Sequence, residues 1–262
     1  MSEKKIFPFV FLTILSVGIL LHNNLFYWFQ TWRFKQYSGE ILSEQKGFKP
    51  SIFSGNIPKV WVHHVNNVKR LQKLLPDFNG IECDVFYNTA INSFEVYHDS
   101  SEISGLQLET YLQLPGTLLK YFWFDFKNLD TINADKALHL FNRFDSMYQI
   151  KQRVIIESTN PLALRKIADG GYFTSYYIPV FNPAEYGSIS TYADSVKKNI
   201  YPRFEAISQG EETIGKLDTL IPNVKKLTWL TSRKLALVRK PLQAFWLRKD
   251  IKVILVEILT NE

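Results

Sequence analysis

The chain has 262 residues, of which 46% are hydrophobic, 15% aromatic and 21% charged. That composition excludes a disordered polymer and supplies enough apolar material for a domain core. The single cysteine, Cys83, excludes an intrachain disulfide framework and a multi-cysteine zinc site. A net charge of +6 is too modest to identify an anionic partner, and a nucleic-acid partner is not expected.

The first segment reads as a membrane or export signal. Behind Lys4 and Lys5, residues 6–21 carry no charge. His22-Asn23-Asn24 interrupts the run, and Leu25-Phe26-Tyr27-Trp28-Phe29 resumes it with aromatics of the kind found at membrane interfaces. Residues 6–29 are long enough to cross a bilayer, which takes about 20 residues. Residues 1–30 are therefore expected to form a signal anchor or transmembrane helix, with the rest of the chain extracytoplasmic. Secretion after signal cleavage is the alternative, although no small-x-small cleavage site follows. A lone cysteine is compatible with an oxidising compartment. Residues 31–56, punctuated by Ser38-Gly39, Gly47, Pro50 and Ser54-Gly55, read as a linker or covering segment.

From residue 57 onward, short β-branched and aromatic runs alternate with longer helical patterns. Strands are expected at 59–63, 80–87, 121–126, 153–158, 172–178, 203–208, 226–231 and 252–258. A further short piece at 94–98 is expected to pair with the end of the second strand. Helices are expected at 66–75, 106–119, 134–150, 161–168, 183–199, 211–220 and 232–247. Asn160-Pro161 and Asn182-Pro183 each read as an N-cap followed by proline at the first helical position. Eight strands with seven intervening helices predict a (β/α)8 TIM barrel over 57–262. The eighth helix would be missing or replaced, with 27–45 available to cover the gap. An open doubly wound sheet is the alternative.

Active sites in such a barrel lie at the carboxyl ends of the strands. The first strand ends in Val62-His63-His64-Val65-Asn66, and the second reads Glu82-Cys83-Asp84. Side chains alternate along a strand, so Glu82 and Asp84 share one face while Cys83 takes the other. In Tyr121-Phe122-Trp123-Phe124-Asp125-Phe126-Lys127 the phenylalanines fall on the helix side. Trp123, Asp125 and Lys127 then point into the barrel. Inward carboxylates are costly unless paired or bound to a cation, and oxygen ligands of this kind suit Mg²⁺ or Ca²⁺. Glu82, Asp84 and Asp125 are thus candidate metal ligands. Lys127 is expected at the rim, facing an anionic group. His98, just after 94–97, adds a second histidine; two histidines beside a bound cation form an acid–base pair suited to phosphoryl transfer. Cys83 reads as a small buried apolar residue. Glu157, Ser158, Glu205 and Ser208 lie near predicted strand ends, where they either touch substrate or cap loops. The basic, aromatic stretch at 233–249 reads as a helix with a solvated face.

The series His63-His64-Val65-Asn66, Glu82-Cys83-Asp84, His98 and Phe124-Asp125-Phe126-Lys127 resembles the PLC-like phosphodiesterase superfamily. That group includes glycerophosphodiester phosphodiesterases, sphingomyelinase D-type phospholipases and the menorin family. The resemblance is dense over 59–128 and thin afterwards, where Trp229 is similar to an aromatic near the seventh strand. It implies that His63 and His98 are the catalytic histidines, that Glu82, Asp84 and Asp125 hold the metal, and that Lys127 is an active-site lysine. Strand alternation supports the three acids independently but does not choose between His63 and His64. His64-Val65 stands where glycerophosphodiester phosphodiesterases have Arg-Gly, and the loop cysteines of secreted sphingomyelinase D enzymes are absent. The implied function is a metal-dependent phosphodiesterase acting on a lipid or glycerol-type phosphodiester. The second reading is a catalytically weak or inactive menorin-like barrel, a membrane-anchored binding or adhesion protein.

Overall fold

The computed structural model describes residues 28–32, 58–99, 105–200, 204–217, 220–222, 224–230, 242 and 244–258. The expected anchor at 1–30 and covering segment at 31–56 lie outside the described residues, apart from a helical stretch at 28–32. Among the described residues no helix is long and apolar enough to cross a membrane. Most of the expected helix at 232–247 also lies outside them.

Nine strands are described: β1 (Val60–Val62), β2 (Gly80–Asn88), β3 (Ser93–Val96), β4 (Tyr121–Phe126), β5 (Val154–Ser158), β6 (Phe173–Tyr177), β7 (Ala206–Gly210), β8 (Lys225–Trp229) and β9 (Ile251–Val256). Eight of them are parallel and run in the order β1-β9-β8-β7-β6-β5-β4-β2, and β1 also pairs with β2, which closes the barrel. The short piece expected at 94–98 is β3, antiparallel to the end of β2. The (β/α)8 expectation holds, and the open sheet is excluded by closure.

The helices between strands are α1 (Val68–Leu74), α2 (Leu108–Leu112), α3 (Ala134–Tyr148), α4 (Pro161–Asp169), α5 (Pro183–Tyr186), α6 (Ile189–Ile200) and α7 (Glu211–Lys216). The Asn160 side chain accepts from the Ala163 N–H and that of Asn182 from the Ala184 N–H, as N-caps before proline should. Two expected helices are broken. The helix expected at 106–119 stops at Leu112 because Pro115 and Gly116 intervene, Gly116 with φ of 88°, before a short 3₁₀ turn at Thr117–Leu119. The helix expected at 183–199 breaks at Gly187, with φ of 68°. The strand expected at 203–208 starts three residues later, at Ala206.

Alternation along the strands divides the core in two. Outward residues, among them Cys83, Phe122, Phe124, Phe126, Ile156 and Ile207, pack against the helices. On α3 the buried residues Ala134, Ala137, Leu140, Phe141 and Phe144 recur at helical spacing and form the facing stripe. Inward residues Trp61, Trp123, Ile155, Phe173, Ala206, Leu227, Val253 and Leu255 fill the barrel. Each fully buried large side chain contributes about 1.5–3 kcal/mol. Gly80 makes room for this plug: a Cβ there would lie 2.1 Å from the Trp61 ring.

Candidate active site

The inward parity continues past the apolar plug into the carboxyl ends of the strands. There it presents His63 after β1, Glu82 and Asp84 on β2, Asp125 and Lys127 on and after β4, and Glu157 on β5. Tyr177, Trp229 and Glu257 follow on β6, on β8 and after β9. A cavity of ≈ 180 Å³ is lined by His63, His64, Glu82, His98, Trp123, Asp125, Lys127, Glu157, Tyr177, Trp229 and Leu255.

Glu82, Asp84 and Asp125 are brought together by register. Asp84 is the parallel partner of Asp125, and Glu82 lies one inward position below on the same strand. Each offers an oxygen within 4.8 Å of the others, and all three are buried. Burial, then the neighbouring carboxylates Asp84 and Asp125, push the Glu82 carboxyl well above the usual range. Burial likewise raises Asp125, although Lys127 opposes the shift. The Asn66 amide pins Asp84: its Nδ2 donates to Asp84 Oδ2 at 2.5 Å and its Oδ1 accepts the Asp84 N–H at 2.9 Å. Asn66 belonged to the quoted motif, but its role emerges only from this pairing across β1 and β2.

Lys127 does not stand out at the rim as expected. Its ammonium turns back onto the acids, 2.7 Å from Asp84 Oδ1 and in contact with Asp125 Oδ2. Burial opposes its charge, but the Asp125 and Asp84 carboxylates outweigh burial and hold its pKa above the ordinary lysine range. One ammonium still faces three clustered carboxylates. This all-oxygen, incompletely neutralised donor set fits a hard dication.

Both histidines of the His63-His64 pair reach the cavity. His63 continues the inward parity of Trp61. His64 has φ of 54°, and its ring stacks on that of His63 at 3.6 Å between centroids. The strained turn lets the His64 backbone N–H donate to Glu82 Oε2 at 2.6 Å. The His64 ring also meets His98 edge-on at 5.3 Å. Glu257, which sequence reasoning missed, receives His64 Nδ1 at 2.7 Å and lies 3.6 Å from His63 Nδ1. The parity of β9 (Val253, Leu255, Glu257) was the available signal. Burial first, then the nearby charges of His64, Lys127, Arg70 and His98, hold His63 well below the usual histidine pKa. His98 is more open, its side chain 47% exposed at the mouth, with Nδ1 3.7 Å from Asp99.

The remaining candidates separate. Glu157 and Trp229 line the cavity. Ser158 faces outward, its hydroxyl accepting from the Asn160 N–H at 3.3 Å, so it caps a loop. Glu205 precedes β7 and pairs with Lys225 at 3.5 Å at the opposite end of the barrel, because the strand starts later than expected. Ser208 faces inward and accepts from Ser175 at 3.0 Å. Cys83 is a buried free thiol among apolar neighbours.

No family model matches the sequence, and no curated protein matches it. Solved structures do. A glycerophosphodiester phosphodiesterase from Parabacteroides distasonis superposes with a TM-score of 0.55 at 18% identity, over 76% of this chain and 92% of the other. An Oleispira antarctica phosphodiesterase, solved with the product sn-glycerol-3-phosphate, gives 0.51 at 11% identity, over 76% and 92%. This chain shares the closed (β/α)8 barrel fold of these phosphodiesterase structures.

Proposed function

We propose that the protein is a divalent-metal-dependent phosphodiesterase acting on a lipid-derived or glycerol-type phosphodiester. The observation that supports this most is the convergence of Glu82, Asp84 and Asp125 within one oxygen cage, beside Lys127 and the histidines, at the carboxyl end of the barrel. The product-bound Oleispira neighbour gives the substrate class its precedent.

In this reading Glu82, Asp84 and Asp125 hold Mg²⁺ or Ca²⁺, which when bound neutralises charge on the phosphate oxygens. Asn66 orients Asp84 and the His64 N–H orients Glu82, so the cage is held before any ligand arrives. Lys127, held between Asp84 and Asp125, would offer its ammonium to a non-bridging phosphate oxygen and supply electrostatic stabilisation. His63 and His98 exchange protons with the attacking hydroxyl and the leaving oxygen. Glu257 holds the stacked His63–His64 pair in orientation. Residues 1–30 anchor the barrel to a membrane on its extracytoplasmic side.

The test uses the full chain with a panel of phosphodiesters, in Mg²⁺, in Ca²⁺ and in EDTA. Turnover is expected with one of the two metals, to be lost in EDTA, and to fall at least 10³-fold in His63→Ala and Asp125→Asn. Turnover that survives both substitutions overturns the assignment. Absence of both turnover and calorimetric metal binding favours a binding or adhesion role for the barrel.

A further inference from the structure

We infer that His63, His64 and Glu257 form a second metal site, separate from the oxygen cage, for a d-block dication of the zinc type. The three meet where β1 and β9 leave the barrel. The binding chemistry of this site does not rest on the phosphodiesterase reading, but its effect on turnover does.

β1 and β9 are parallel partners with Val62 opposite Val256, and the His63 N–H donates to the Val256 carbonyl at 3.1 Å. That register sets Glu257 beside His63, both continuing the inward face of Trp61 and Leu255. Strand alternation alone would turn His64 the other way. Its φ of 54° brings the ring back, stacked on that of His63 at 3.6 Å between centroids and 18° between planes. Both Nδ1 atoms therefore face the same carboxylate oxygen. His64 Nδ1 lies 2.7 Å and His63 Nδ1 3.6 Å from Glu257 Oε1.

Two imidazoles and one carboxylate thus offer ligand atoms within 4.8 Å of one another. Zinc takes such ligands at about 2.0–2.2 Å in a tetrahedron, which sets the ligand atoms about 3.3 Å apart. The observed separations, 2.7 and 3.6 Å, bracket that value. Imidazole suits zinc and its neighbours in the d-block, whereas Mg²⁺ and Ca²⁺ prefer oxygen. The barrel mouth therefore holds two donor sets of different softness side by side. His63 and His64 line the cavity, which gives an ion its path in.

The surroundings orient these donors. His63 Nε2 faces Glu82 Oε2 at 3.7 Å, so a carboxylate stands behind the nitrogen that the ion leaves free. Arg70 Nη2 donates to the His63 carbonyl at 3.2 Å and lies 3.9 Å from Glu257 Oε2, on the far side of the carboxylate from the imidazoles. When an ion takes His64 Nδ1 and Glu257 Oε1, the proton between them is released to solvent. His63 bound through Nδ1 keeps its Nε2 proton and no longer cycles between imidazole and imidazolium. Occupancy of this site therefore inhibits phosphodiester turnover.

The test is equilibrium dialysis of the full chain against Zn²⁺, with Mg²⁺ and Ca²⁺ in large excess to fill the oxygen cage. One Zn²⁺ per chain is expected, with two imidazole nitrogens in its X-ray absorption spectrum. Glu257→Gln and His64→Ala are each expected to weaken Zn²⁺ at least tenfold, and Glu257→Gln carries the test if the other variant does not fold. Asp125→Asn, in the oxygen cage, is expected to change Zn²⁺ affinity less than twofold. Zn²⁺ that fails to bind under these conditions, or whose affinity survives both substitutions, overturns the site. Zn²⁺ lost in Asp125→Asn places the ion in the oxygen cage and overturns it as well. Turnover of the phosphodiester panel by wild type is expected to fall at least tenfold as Zn²⁺ fills the site, and undiminished turnover with Zn²⁺ bound overturns the inhibition. Zn²⁺ binding that depends on His64 and Glu257, in a chain that turns over no phosphodiester with or without Zn²⁺, supports the site and overturns the phosphodiesterase reading.

Discussion

Glu82→Gln should make the metal-free protein more stable while abolishing its response to a dication. The Glu82 oxygen lies within 4.8 Å of oxygens from both Asp84 and Asp125. Two unit charges at that separation repel by about 3.5 kcal/mol at an effective dielectric of about 20. Burial and this repulsion together raise the Glu82 carboxyl, so the metal-free fold bears them as the cost of keeping a proton there, and Lys127, which partly neutralises Asp84 and Asp125, lowers that cost further. Against it stands the hydrogen bond from the His64 N–H, which weakens when its acceptor becomes a neutral amide. A charge-assisted bond is worth about 1.5–3 kcal/mol and a neutral one about 0.5–1.5. The balance is a gain of about 1–3 kcal/mol at neutral pH, or about 2–8 °C in Tm for a chain of this size.

The assay is thermal unfolding of both proteins in EDTA and again with Mg²⁺ or Ca²⁺. A ligand that binds only the folded state at 100 times its Kd adds about 2.7 kcal/mol. Wild type should show a shift of that order with the correct metal and the variant almost none. A variant less stable than wild type in EDTA by 1 kcal/mol or more would refute the reasoning. It would mean that the His64 contact outweighs the repulsion and that the three acids are a structural network.

Asn66→Ala leaves the Asp84 N–H and one Asp84 oxygen without their partners in a buried site. It should cost about 2–3 kcal/mol in denaturant unfolding and weaken metal binding in calorimetry, because Asp84 is no longer held in line. Gly80→Ala places a Cβ 2.1 Å from the Trp61 ring, and the ring is fixed by its indole N–H donating to the Pro58 carbonyl at 2.7 Å. It should destabilise by about 3 kcal/mol or prevent folding, read by urea unfolding and by loss of the near-ultraviolet Trp signal.

Much of this site was legible because a closed parallel barrel makes side-chain parity strict. Once Phe122, Phe124 and Phe126 are assigned to the helix side, Trp123, Asp125 and Lys127 must face inward, and they do. The same rule orients Glu82 and Asp84. It also applied to Glu257 after β9, where a single acid in an apolar run drew no notice. His64 was beyond parity: its left-handed backbone lies outside the strand, and its contacts with Glu82 and Glu257 join residues far apart in the chain. Glu157 showed its strand position in the sequence. Its carboxyl meets Ser208 of β7 and Trp123 of β4, neighbours that only the assembled barrel brings beside it.

The barrel interior also separates its charges along the axis, which predicts an unusual pH profile. Acids gather at the carboxyl ends of the strands, while Lys59, Lys225 and Lys252 lie buried near their starts. Burial, then the neighbouring Lys252, lower Lys59 to about 7. Burial lowers Lys225 to about 7 and Lys252 to about 8. At the other end Glu82, Asp125 and Glu157 are all raised, chiefly by burial. A raised carboxyl pKa means that the folded state holds protons the unfolded state has released. Stability from these three carboxyls therefore falls as pH rises above about 4.5, against an opposing rise from the single lowered histidine, His63, that ends near pH 6.5. A lowered lysine pKa means that the unfolded state holds protons the folded state has lost. Stability therefore rises between about pH 7 and 10. The two effects meet near neutrality, so the metal-free protein should have a stability minimum there, where most proteins have a plateau. Urea midpoints in EDTA at pH 5, 7 and 9 measure it, and a saturating dication should fill the trough by holding the acids ionised without penalty. A metal-free midpoint that peaks at pH 7 would show that the buried charges at both ends are compensated, and would remove the electrostatic case for a cation at Glu82, Asp84 and Asp125.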